Sequence, residues 1–134
     1  MTVAIIIIVS VLRVALLNKQ APIEVRFRAY YERSCTGRAW MRRFPAAEKE
    51  EIRAFLGIFI DAFDLDQKKK LAFSPDDRVI DIYRTMYPKN SLIDDMECER
   101  LVIECEEHYG IDITKHCSEN ATLGDIFNAT RHRA

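Results

Sequence analysis

Apolar residues run almost unbroken from Val3 to Leu17, interrupted at Ser10 and Arg13. Fifteen residues of helix span roughly 22 Å, short of the roughly 30 Å hydrocarbon core of a bilayer. Nothing basic precedes the run, so it does not read as a secretory signal. Cations follow it instead, at Lys19, Arg26, Arg28, Arg33, Arg38, Arg42 and Arg43. By the positive-inside bias, residues 1–20 then predict a short membrane anchor with its C-terminal side in the cytoplasm. A buried Ile/Val-rich strand, a core helix and an over-extended start at Met1 are the competing readings, with a plain cytoplasmic location as the alternative. Further on, Ile23, Val25, Phe27 and Ala29 alternate with Glu24, Arg26 and Arg28, which predicts a strand or a lone extended connector within a basic segment, 21–45.

After Phe44-Pro45 the period changes to that of a helix. Ile52, Phe55, Leu56, Phe59, Ile60 and Phe63 recur at three- and four-residue spacing behind an acidic first turn, and Gly57 leaves room for a neighbour. Ser74-Pro75-Asp76-Asp77 carries the residues of a helix start, so a second helix is expected through Val79, Ile82, Tyr83 and Met86. A third runs from a cap at Asp94 or Asp95 to Tyr109, with Gly110 as its stop. Its inward side is Met96, Cys98, Leu101, Val102, Cys105 and Tyr109; its outer side is Glu97, Arg100, Glu104 and Glu107, with Glu99 and Glu106 toward the edges. Thr122-Leu123-Gly124-Asp125 opens a last helix. Tyr83 and Tyr87 read as core or edge packing.

Composition agrees with an all-α domain over 46–134. Of 134 residues 49% are hydrophobic and 31% charged, which excludes wholesale disorder, and 4 Gly with 4 Pro leave little material for a many-turned β fold. Charge is divided: residues 1–45 carry 8 Lys and Arg against 2 acids, a net of +6, and 46–134 carry 12 against 19, a net of −7. Cys35, Cys98, Cys105 and Cys117 form no paired motif, so reduced thiols are expected, Cys98 and Cys105 as small buried hydrophobes.

The run Leu92–Ile113, LIDDMECERLVIECEEHYGIDI, followed by Ala121–Phe127, ATLGDIF, resembles an acyl carrier protein. In that family a loop reading Asp-Ser-Leu opens the second major helix, which ends in acidic residues and an aromatic. A Gly-Ile-x-Ile-like turn and a Thr-Val/Leu-Gly-Asp start of the last helix follow. Here Glu106, Glu107 and Tyr109 match the helix end, Gly110, Ile111 and Ile113 the turn, and Thr122 to Asp125 the helix start. The resemblance implies an acyl-carrier-like four-helix bundle, preceded in this chain by the apolar and basic arm.

It also implies a departure in chemistry. Counting back without gaps from Tyr109 puts the family's Asp-Ser-Leu on Asp94-Asp95-Met96, so Asp95 stands where the family carries the serine that receives phosphopantetheine. A carboxylate cannot take that modification. Ser91 is the alternative acceptor, at the expense of a four-residue insertion and of Asn90 in place of the family's Asp. The expectation is a non-catalytic module without a cofactor, docking a basic-surfaced protein through Asp94, Glu97, Glu104 and Glu107. The resemblance points to a fatty-acid or polyketide-type enzyme as that partner. The rivals are a working carrier modified at Ser91, and a membrane-surface or nucleic-acid adaptor in which Arg33, Arg38, Arg42 and Arg43 interleave with Tyr30, Tyr31 and Trp40. No metal site is expected: Asp94, Asp95, Glu97 and Glu99 lack the glycine of a calcium loop, and His108, His116 and Cys117 lack zinc spacing. No phosphate-loop, dinucleotide or common hydrolase motif occurs.

Overall fold

A computed structural model describes residues 3–7, 22–87, 96–118 and 120–131. Among them the chain is mostly helical and forms no strand. In order come α1 (Ile23–Arg26), α2 (Arg28–Tyr31), α3 (Gly37–Arg43), α4 (Lys49–Ala62), a 3-10 turn (Gln67–Ala72), α5 (Val79–Met86), α6 (Met96–Tyr109), a second 3-10 turn (Ile113–His116) and α7 (Leu123–Arg131). Residues 3–7 are also helical.

The long amphipathic helices follow the pattern that predicts them. In α4 Ile52, Phe55, Leu56, Phe59 and Ile60 are all buried, and Phe63 closes the stripe just past its end. The helix stops where Leu65 N–H donates to Ile60 O (2.9 Å) and Asp64 takes a left-handed φ of 55°. This closure satisfies carbonyls of the last turn. Gly110, at φ 64°, ends α6 in the same backbone region. Burying each large apolar side chain contributes about 1.5–3 kcal/mol, so these stripes are the main force holding α4 against α6 and the first 3-10 turn.

Three expectations need correction. The segment predicted as a strand is helical, because its buried positions are Phe27 with half-buried Ile23, Tyr30 and Tyr31. Those fall at helical spacing, while Val25 and Ala29, inside in the alternating reading, face solvent. Second, one hydrophobic core runs through the boundary expected at residue 45: Phe27, Trp40 and Phe44 belong to the same cluster as Phe55, Phe73 and Phe127. Trp40 packs on Phe127 at 5.7 Å and on Phe55 at 6.2 Å between ring centroids, and Tyr30 stacks on Phe73 at 5.3 Å. The basic segment is thus a layer of the fold.

Third, the membrane placement is overturned: among the described residues no helix is long and apolar enough to cross a membrane. Of the apolar run only residues 3–7 are described, with Val3, Ile5, Ile6 and Ile7 exposed; the rest of the predicted anchor lies outside the described residues. Several cations expected to face lipid are bound to protein instead. Arg26 donates to the Met86 carbonyl. Arg33 grips Asp77 with two bonds of 2.7 and 2.8 Å and lies over the Tyr30 ring. Arg43 Nη2 reaches Asp125 at 2.9 Å and its Nη1 reaches the Pro75 carbonyl at 3.1 Å.

The predicted helix start at Ser74 also shifts. Ser74–Asp77 forms a turn, with Ser74 N–H donating to Asp77 Oδ2 (2.7 Å) and Asp76 N–H to Ser74 Oγ (3.2 Å), and α5 begins only at Val79. The reason is long-range. The Asp77 carbonyl accepts from Leu123 N–H (2.9 Å), the Pro75 carbonyl from Gly124 N–H (2.9 Å), and Val79 N–H donates to Ala121 O (3.0 Å). The turn therefore serves the donors that the first turn of α7 leaves free. Thr122 and Asp125 complete that cap: Asp125 N–H donates to Thr122 Oγ1 (3.1 Å) and Thr122 N–H to Asp125 Oδ2 (3.0 Å).

A Cβ built on Gly124 would sit 2.5 Å from Arg43 Nη1 and 2.8 Å from Pro75 O, whereas one on Gly57 meets Gln67 at an ordinary 3.5 Å. Gly124→Ala should destabilise by about 1–3 kcal/mol through overpacking, and Gly57→Ala should stabilise by up to about 1 kcal/mol as an alanine inside a helix; thermal unfolding checks both signs. The Asp125 carboxyl is held below its ordinary range by the Thr122 backbone N–H, then by the Thr122 hydroxyl and Arg43. Its contribution is present above the unfolded carboxylate pKa and is lost as pH falls through the lowered value. Unfolding measured from neutral pH downward should show that loss shrinking in Asp125→Asn.

Candidate functional site

The face of α6 turned away from the core is the surface on which the sequence placed partner contacts. Leu101 and Cys105 are buried beneath it, with Cys98, Val102 and Tyr109 packed on the core edge, as the helical period predicts. Burial pushes the Cys105 thiol up to about 12, so it behaves as a small hydrophobe.

Glu97 departs from the expected outer face. It is half-buried, its Oε1 accepts the Tyr87 hydroxyl, and Oε2 is buried with no hydrogen-bond partner among the described residues. Glu104 is half-buried and lies 3.3 Å from His108 Nε2, one helical turn on. Arg100 is occupied too, donating from Nη2 to the Asp61 carbonyl (3.0 Å) near the end of α4. Glu107 is exposed as predicted. Asp94, Asp95 and Ser91 lie outside the described residues.

The residue missed from sequence is Ile103, 48% exposed in the middle of the acidic face. Helical geometry makes Glu99, Arg100, Glu106 and Glu107 its neighbours at i−4, i−3, i+3 and i+4. Glu99, Glu106 and Glu107 are exposed and make no ion pair among the described residues. An apolar spot ringed by uncommitted carboxylates can meet an apolar contact surrounded by Lys or Arg. The available signal was an isoleucine one position off the apolar stripe, easily read as part of the Val102 edge.

Other candidates are dispersed. Trp40 is fully buried, and the half-buried Tyr30 and Tyr31 pack on Phe27 and Phe73, so these rings contribute to the core. Among the described residues no three His, Cys, Asp or Glu side chains come together to hold a metal ion. Comparisons of the chain with family models, with curated proteins and with solved structures returned no match.

With iodoacetamide at mildly alkaline pH, the exposed Cys35 should label readily in the folded protein, Cys117, whose thiol is pushed up by burial, more slowly, and Cys105 only after denaturation, as read by peptide mass mapping. Early labelling of Cys105 would show that α6 does not seal the core as described.

Proposed function

We propose that this chain is a non-catalytic, acyl-carrier-like binding module that docks a basic protein partner through the outer face of α6. The observation that carries the reading is Ile103 exposed among the uncommitted carboxylates of Glu99, Glu106 and Glu107. Complementary charge would steer the encounter and orient it, while the apolar contact at the centre would hold the complex.

Two further features support it. Of the segments that resemble the carrier family, Met96–Tyr109 and residues 123–127 are helical, with Gly110 in the left-handed region and Thr122 and Asp125 capping α7. Aromatic rings fill the middle of the bundle: Phe127 packs on Phe44 at 4.9 Å and on Phe55 at 5.3 Å between centroids. Side chains there suit a scaffold that docks rather than one that shelters an acyl chain. The partner class, a fatty-acid or polyketide-type enzyme, rests on the resemblance alone, as does Asp95 standing in place of the modified serine.

Two experiments test this. Incubation with a phosphopantetheinyl transferase and coenzyme A should leave the intact mass unchanged; an adduct mapped to Ser91 would refute the reading in favour of a working carrier. Affinity capture from the source organism should retain a basic-surfaced protein that Ile103→Ser/Glu106→Lys/Glu107→Lys loses. Those exposed substitutions should change stability by only about 0.5 kcal/mol each. Equal capture by the variant rules out this face, whereas Glu97→Gln, which keeps an acceptor for Tyr87, should capture normally.

A further inference from the structure

A groove of about 620 Å³ lies between α3 and the start of α4, away from α6. Its walls carry Arg38 and Arg42 on one side and Lys49 and Arg53 on the other, and no carboxylate lines it. Each pair is spaced i, i+4, which brings like charges together on one helix face and destabilises a helix. None of the four cations forms an ion pair among the described residues. Arg26, Arg33 and Arg43, which share the basic segment with Arg38 and Arg42, are all engaged with protein acceptors. The fold therefore accounts for one set of cations and leaves the other lining an open groove.

The floor between them is apolar, made by Met41, Ile52 and Leu71. Low-dielectric walls under charges of one sign concentrate the field and draw in an anion. Arginine forks suit the planar or tetrahedral oxygens of a carboxylate or phosphate. The volume falls within the roughly 300–1,000 Å³ of small-molecule sites.

We propose that this groove binds a small anionic amphiphile, its oxyanion head held between Arg38, Arg42, Lys49 and Arg53 and its apolar tail on Met41, Ile52 and Leu71. The tail selects against simple inorganic anions, and the ring of cations selects against neutral or cationic amphiphiles of the same length. Cys35, an exposed residue, lines the same groove, so occupancy should shield its thiol.

Calorimetric titration of the full chain with octanoate, octyl phosphate, inorganic phosphate and octyltrimethylammonium, below micelle formation, tests this. One equivalent of octanoate or octyl phosphate should bind, the tighter of the two identifying the head, while the other two probes bind at least about tenfold more weakly. Arg38→Gln/Arg53→Gln, one cation from each wall, should weaken binding about tenfold or more, whereas the charge-matched Lys68→Gln/Lys115→Gln should not. Bound ligand should slow alkylation of Cys35 in the unmodified protein and leave Cys117 unchanged, a readout that needs no variant to fold. No binding of either anion, undiminished binding in the double variant, inorganic phosphate as tight as octyl phosphate, or an unprotected Cys35 would each overturn the proposal. So would sedimentation showing self-association that the double variant abolishes, since a second copy would then fill the groove.

Discussion

The start of the last helix has free N–H donors that must find acceptors away from water, and much of the architecture follows from where they find them. Leu123 and Gly124 donate to the carbonyls of Asp77 and Pro75, and Thr122 is tied reciprocally to Asp125. This fixes the Ser74–Asp77 turn against the start of α7, about 45 residues further along the chain. Gly124 lets the backbones approach, since a side chain there would collide with Pro75 and Arg43.

The basic segment closes this junction from outside. Arg33 holds Asp77 with two bonds, Arg43 spans Pro75 and Asp125, and Thr36 Oγ1 and Trp40 Nε1 both donate to the Phe73 carbonyl at 2.7 and 2.8 Å. The Arg33 and Arg43 bonds are charge-assisted, and such bonds are stronger than neutral ones when partly shielded from water. Asp77 is only 10% exposed at its side chain, so its pair with Arg33 is better shielded than an ordinary surface bridge. Trp40, Phe44 and Phe27 then bring the segment's own rings into the core.

The division of charge along the sequence thereby becomes a division between surfaces. Some cations of the early segment meet carboxylates and carbonyls within the fold, while Arg38 and Arg42 join Lys49 and Arg53 of α4 in lining a basic groove. Acidic residues collect on the far side of α6, where Arg100 is drawn off to the end of α4 and Glu97 toward Tyr87. The near-neutral total of −1 conceals two uncompensated patches of opposite sign.

What was legible in the sequence is what depends on local period and local capping. The stripe of α4, the inward face of α6, the stop at Gly110 and the Thr122–Asp125 cap all appear where spacing places them, because burial repeats with the helix turn and caps act within a few residues. The candidate face was legible only in part: Glu107 is exposed and Ile103 lies where the period puts it, on the outer face, but Glu97 turns toward Tyr87, a neighbour from outside the helix that no helix wheel supplies. The role of residues 22–45 was not legible. Alternation at Ile23–Ala29 and a run of arginines describe a strand and a basic tail equally well in isolation. Only partners distant in sequence, Phe73 for the rings and Asp77 and Asp125 for the guanidiniums, make that stretch helical and part of the core. Local pattern thus determined which helices form, and long-range packing and hydrogen bonding decided which charges are paired within the fold and which stay at the surface.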